Sequence, residues 1–150
     1  DWTLDIRGGG IETEYGSKLL SKINEKKLSR VEILPSTKNI EEEYKKSSIC
    51  VGSSRYEGFQ LSLAEASSAG LPIVSFDCLC GPSDIVVNGE NGYLIPVGGI
   101  SVMADKILVL LEKAELRINM SLKSTEISHK FYEKNVISLW NSIIGEALAK

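Results

Sequence analysis

In SICVGSSRYEGFQLSLAEASSAGLPIVSF, residues 48–76, two short apolar runs flank a segment of small and apolar residues that Gly70 and Pro72 bring to an end. SICVGS reads as a buried strand, FQLSLAEASSAG as a helix stopped at Gly70 and Pro72, and PIVSF as the next strand. Two strands joined through a helix form the unit from which parallel sheets are built, because a parallel crossover needs a long connection.

The alternation extends in both directions. Upstream, residues 2–6 form a short strand before the glycines at 8–10, and a helix-compatible stretch runs from about 11 to 27 with Leu19, Leu20 and Ile23 on one side. VEILP, residues 31–35, is a strand, and IEEEYKKS, residues 40–47, a short polar helix. Downstream, GPSDIVV predicts a brief helix with Pro82 near its start and Ser83 or Asp84 as its cap. NGENGYLIPVGG predicts tight turns around a strand at 93–95. Ser101 is the expected cap of a helix over 102–112, whose Met103, Ile107, Leu110 and Leu111 make an apolar stripe. A last helical region covers 116–149 with a break near 129–132. Alternating helices and β-branched strands predict an α/β protein with a doubly wound parallel sheet covered on both faces.

A chain of 150 residues fits one domain and buries roughly 70% of its unfolded surface. Its 43% hydrophobic and 25% charged content is that of a globular protein in water, and no apolar run approaches the about 20 residues of a membrane span. A net charge of −3 gives no general attraction for nucleic acid or an anionic membrane. The three cysteines, Cys50, Cys78 and Cys80, are an odd number and suit reduced thiols in a cytoplasmic setting. Cys78 and Cys80 stand too close for a zinc knuckle and lack a second pair, and His129 is the lone histidine, so no metal site is expected.

Ligands of doubly wound sheets gather where strands end and helices begin, which places residues 53–61 at a candidate site. Gly58 lets the backbone approach a ligand, and the amides of Phe59, Gln60 and Leu61, together with the helix dipole, suit a diphosphate. A plainer reading, with Ser53 or Ser54 capping the helix and Glu57 offsetting its dipole, is equally open at this level. Glu57 and Glu65 are eight positions apart. Were both helical, they would be turned about 80° and separated by roughly 12 Å, too far to share a proton. They could instead hold two parts of one extended ligand, Glu57 a sugar and Glu65 a ribose diol. Glu65 as a solvent-facing helix residue is the competing reading.

These residues carry a resemblance. Glu57-Gly58-Phe59-Gln60-Leu61, followed by Glu65-Ala66 and by AGLPIV, resembles the E-x(7)-E signature of retaining glycosyltransferases of the GT-B fold, especially glycosyltransferase family four. WTLDIRGGGIE and GPSDIVVNGENGYLI resemble the flanking blocks of the same donor domain, so the likeness covers nearly the whole chain. The resemblance implies a Rossmann-like C-terminal half of a GT-B fold, residues 1–150 being one nucleotide-sugar domain without its first strand and without the N-terminal acceptor domain. It implies that Glu57, in the catalytic position, orients the donor hexose rather than acting as a nucleophile. Ser54, Gly58, Phe59, Gln60 and Leu61 would meet sugar and diphosphate, and Glu65 the ribose. The family usually brings an Arg and a Lys to the phosphates on a loop that precedes these residues; among the basic groups here Arg55 would assist the phosphates only with its side chain turned inward, and Pro35, Thr37 and Ile40, after the VEIL strand, would lie by the base. Gln60 stands where the family often has a small residue or proline, and Asp84 where Glu is more frequent.

The implied activity is transfer of a hexose from a nucleotide-diphosphate sugar, with uridine as the expected nucleotide, to a glycan or lipid-linked acceptor in polysaccharide or lipopolysaccharide synthesis. No cofactor and no metal are expected, and the chain alone should be nearly inactive. The working place would be the cytoplasm, at the inner face of the membrane for the full-length protein. The alternative is a noncatalytic nucleotide-sugar module, or a subunit that completes its site with another chain.

Overall fold

The computed structural model describes residues 2–149, and the chain divides into two compact units, Asp1–Ile40 and Glu41–Lys150. The first unit is a strand, a helix and a strand: β1 (Leu4–Arg7), α1 (Glu14–Glu25) and β2 (Val31–Leu34). The strands pair in parallel from Leu4 opposite Val31 to Arg7 opposite Leu34. α1 starts three residues later than expected because Thr13 stays extended, and its side chain accepts the Gly16 amide at 3.2 Å.

α2 (Ile40–Lys46) lies in the second unit from Glu41 on, and β3 (Cys50–Gly52), α3 (Leu61–Ser68), β4 (Ile73–Phe76), α4 (Pro82–Ile85) and β5 (Gly92–Ile95) follow. Three further helices follow, α5 (Ile100–Glu112), α6 (Ala114–Ser128) and α7 (Glu133–Leu148), the last two separated by a 3-10 turn at His129–Phe131. The strands form a parallel sheet in the order β3-β4-β5, with Val51 opposite Val74 and Val74 opposite Tyr93. All four residues of β4 are buried, as a central strand covered on both sides must be. Val74 and Phe76 join Ile95, Met103, Leu110 and Met120 in one cluster, while Ile73 joins Leu63, Ala64, Ile85 and Val86 in another. Val74 and Phe76, two apart on β4, share one cluster and the adjacent Ile73 belongs to the other, so the pleat puts one core on each face. The α/β class with parallel strands and helices on both faces is thus realised in this unit.

Small residues let α3 and α6 approach. Ser67 Oγ donates to the Ser124 carbonyl at 3.0 Å, and Ser124 Oγ donates to the Leu71 carbonyl at 2.7 Å, all within buried surroundings. Buried Asn91 closes the turn into β5, its Oδ1 accepting the Val87 amide at 2.7 Å and its Nδ2 donating to the Ile85 carbonyl at 3.2 Å.

Three expected caps are corrected. α5 begins at Ile100 with Gly99 as its cap, so Ser101 lies inside the first turn. The turn at 96–99 brings the chain into the helix early, and the Gly99 carbonyl takes the Met103 amide at 2.9 Å. α4 is capped by Gly81 without a side-chain bond, so Ser83 and Asp84 are likewise inside the helix. Gly81 holds φ at 97°, a backbone region that favours glycine over Ser or Asp.

Burial pushes the Cys50 thiol up from its ordinary 9.0 to about 12. Between those values the unfolded chain has released a proton that the folded chain keeps, so stability is full below pH 9 and falls as pH rises. Urea titrations between pH 8 and 10.5 are expected to show a loss of up to about 1.4 kcal/mol per pH unit above pH 9 that Cys50→Ala flattens. Identical slopes for the two proteins would rule this out.

Candidate functional site

β3 and β4 lie side by side and parallel, so the loops that leave their carboxyl ends, residues 53–60 and 77–81, emerge at the same edge of the sheet. They touch. A Cβ placed on Gly81 would lie 3.0 Å from the Gln60 nitrogen and 3.2 Å from the Phe59 Cα, so only a bare backbone with positive φ can lean this closely on the entry to α3. Gly52, the last residue of β3, performs a similar service below the loop. Its absent Cβ would fall 2.6 Å from Ser75 Oγ and 3.2 Å from Gln60 Nε2, which leaves room for the Gln60 side chain to tuck in.

Gln60 is the cap residue of α3, yet its side chain makes no capping bond. It is 7% exposed, and its Oε1 has no protein partner. A buried carbonyl oxygen left so costs stability unless water or a ligand supplies a donor. The Gly58, Phe59 and Gln60 amides have no backbone acceptor among the described residues, whereas the Leu61 amide donates to the Phe59 carbonyl at 3.0 Å. The expected trio of free amides is therefore shifted one residue upstream, because a tight turn at 59–61 consumes the Leu61 donor. Neither Ser53 nor Ser54 caps α3, which begins at Leu61.

Glu57 lies in the irregular loop four residues ahead of α3 and is half-buried, so helical spacing from Glu65 does not describe the pair. Gly58 has open space around it. Phe59 is held by an edge-to-face contact with Phe131, ring centroids 5.5 Å apart. Arg55 is exposed, and Ser54 half-buried. Glu65 is exposed on α3, where Tyr44 of α2 reaches its carboxylate: the phenol donates to Glu65 Oε2 at 3.3 Å and to the Ser62 carbonyl at 3.1 Å. Pro35, Thr37 and Ile40 belong to the first unit, where the Pro35 carbonyl accepts Arg7 Nη1 at 3.3 Å and Thr37 Oγ1 accepts the Asn39 amide at 3.1 Å. Among the described residues no three His, Cys, Asp or Glu side chains gather as metal ligands.

The second unit thus assembles the 54–61 segment with Gly81, and Glu65 with Tyr44. Sequence reasoning missed Tyr44 and Gly81. Tyr44 is the single aromatic residue of an otherwise polar helix, a signal that was present; the contact of Gly81 has none, since it depends on two loops meeting.

Known proteins resemble this chain over most of its length. The family described as glycosyl transferases group 1 matches residues 1–113. An uncharacterized glycosyltransferase of Haemophilus influenzae is 35% identical over 144 residues, 96% of this chain and 40% of its own length. The amylovoran biosynthesis glycosyltransferase AmsD of Erwinia amylovora is 31% identical over 145 residues, again 96% of this chain and 40% of the relative. The crystal structure of TarM from S. aureus, in a complex that includes UDP, superposes with a TM-score of 0.83 at 31% identity, covering 93% of this chain and 28% of TarM. The chain spans about two fifths of the length of these two curated relatives.

Proposed function

The chain belongs to the group 1 glycosyl transferases and has the GT-B type of fold, and from that premise we propose that it is the donor-binding part of a retaining hexosyltransferase. The observation that carries this reading is the meeting of the 53–60 and 77–81 loops at the carboxyl edge of the parallel sheet, with free amides at the start of α3. The donor is a nucleotide-diphosphate sugar with uridine as its nucleoside, in keeping with the UDP in the TarM complex. Its acceptor is a glycan or lipid-linked glycan of polysaccharide synthesis; the Erwinia relative is named for amylovoran biosynthesis. We place its work in the cytoplasm, a compartment that keeps free thiols such as Cys50, Cys78 and Cys80 reduced.

In this reading the diphosphate sits against the Gly58–Gln60 amides, where the dipole of α3 and oriented N–H donors stabilise the charge that builds on the departing phosphate. Transfer breaks the bond between the anomeric carbon and the phosphate oxygen and forms one to an acceptor oxygen, whose proton passes, directly or through water, to the departing nucleoside diphosphate. The chain's part is to hold the reacting carbon still: Glu57 takes sugar hydroxyls, Ser54 and Arg55 line the same loop, and Glu65 takes the ribose diol. No metal is required, because the amides and the helix start carry the charge stabilisation.

Calorimetry on the full-length protein with several nucleotide-sugars tests the assignment. Glu65→Ala is expected to weaken every ribonucleotide donor alike, by about 1.5 to 3 kcal/mol for the loss of bonds to a charged group. Unchanged affinity would return Glu65 to a solvated helix face.

A further inference from the structure

We propose that Tyr44 is a positioning residue for the donor's ribose, holding the Glu65 carboxylate in the orientation that receives the diol. The inference rests on the reading of Glu65 given above. An exposed glutamate has three side-chain torsions and no preferred direction, so ordering it on binding costs rotamer entropy. Tyr44 removes part of that cost beforehand. Its ring is half-buried and it has only two torsions, which makes it a stiff post beside α3.

The phenol proton is shared between two acceptors, Glu65 Oε2 at 3.3 Å and the Ser62 carbonyl at 3.1 Å. Ser62 is in the first turn of α3, so the phenol refers the carboxylate to the same turn whose upstream amides face the phosphates. A carboxylate has about four lone-pair sites, and one bond from Tyr44 to Oε2 leaves Oε1 and the rest of Oε2 for two ribose hydroxyls. Burial, with Cys50 and Glu65 nearby, raises the phenol well above its ordinary range, so Tyr44 remains a donor at any working pH and never competes as an anion.

The test uses the full-length protein and the tightest binder among UDP, ADP and GDP, compared with its 2′,3′-dideoxy counterpart. Tyr44→Phe keeps the ring and removes only the hydroxyl. It is expected to weaken the ribonucleotide roughly five- to tenfold and the dideoxy nucleotide less than twofold, with no further loss when added to Glu65→Ala. A structural role for Tyr44 would weaken both nucleotides alike. If Glu65→Ala discriminates between the two nucleotides and Tyr44→Phe does not, the positioning role is wrong and the site stands. If Glu65→Ala itself fails to discriminate, or none of the three diphosphates binds, the ribose assignment falls and takes this inference with it.

Discussion

Gly92→Ala is expected to lose roughly 3 kcal/mol or more of stability, over half of the roughly 5 kcal/mol at the low end for a domain. Gly92 opens β5 opposite Ile73 of the central strand. A Cβ there would overlap the Ile73 carbonyl oxygen and would lie 2.8 Å from its carbon and 2.9 Å from the Ile73 nitrogen. The obstacle is backbone, so no rotamer change relieves it, and β4 and β5 would have to part at the point where Ile73 donates its amide to the Asn91 carbonyl at 3.1 Å. Gly145→Ala in α7 is the matched comparison. Nothing lies near its would-be Cβ, and the change is expected to stabilise by about 0.5 to 1 kcal/mol. Urea midpoints of the two variants should therefore move in opposite directions; a Gly92→Ala midpoint equal to that of the unaltered protein would contradict the close approach.

Glu57→Gln in the full-length protein is expected to slow sugar transfer about a hundredfold, the usual scale for removing one charged partner of a transition state. The same change should alter binding of the free nucleoside diphosphate less than twofold, because the proposed role of Glu57 is confined to the sugar. Its position supports that division. Glu57 lies in the loop between β3 and α3, ahead of the Gly58–Gln60 amides, whereas Glu65 is on the helix beside Tyr44. Single-turnover rates with donor in excess, set beside calorimetry with the free nucleotide, check it. Equal losses in transfer and in nucleotide binding would move Glu57 from the sugar to the phosphates or to the loop's own stability.

Much of the second unit was legible before any coordinates. The apolar runs at 49–52 and 73–76, the Gly70-Pro72 stop and the stripe Met103, Ile107, Leu110 reappear as β3, β4, the end of α3 and the buried side of α5, because periodicity and chain-breaking residues are local properties. The break at 129–132 between two long helices was visible for the same reason. Caps were less legible. Ser101, Ser83 and Asp84 are chemically fit to cap, yet glycine takes the place before both helices, since the path of the preceding turn chooses which residue stands there.

The sequence by itself determined the order of strands and helices, the two-sided burial of β4 and the segment in which Glu57 and Glu65 fall, all of which follow from side-chain patterns read along the chain. Only the tertiary structure decided that Gly81 leans on the Phe59–Gln60 backbone, that the Leu61 amide is spent inside its own turn, and that Tyr44 reaches Glu65 from another helix. Each of these is a contact of a few ångströms set by how loops and helices meet across the fold, and sequence spacing holds no record of such distances.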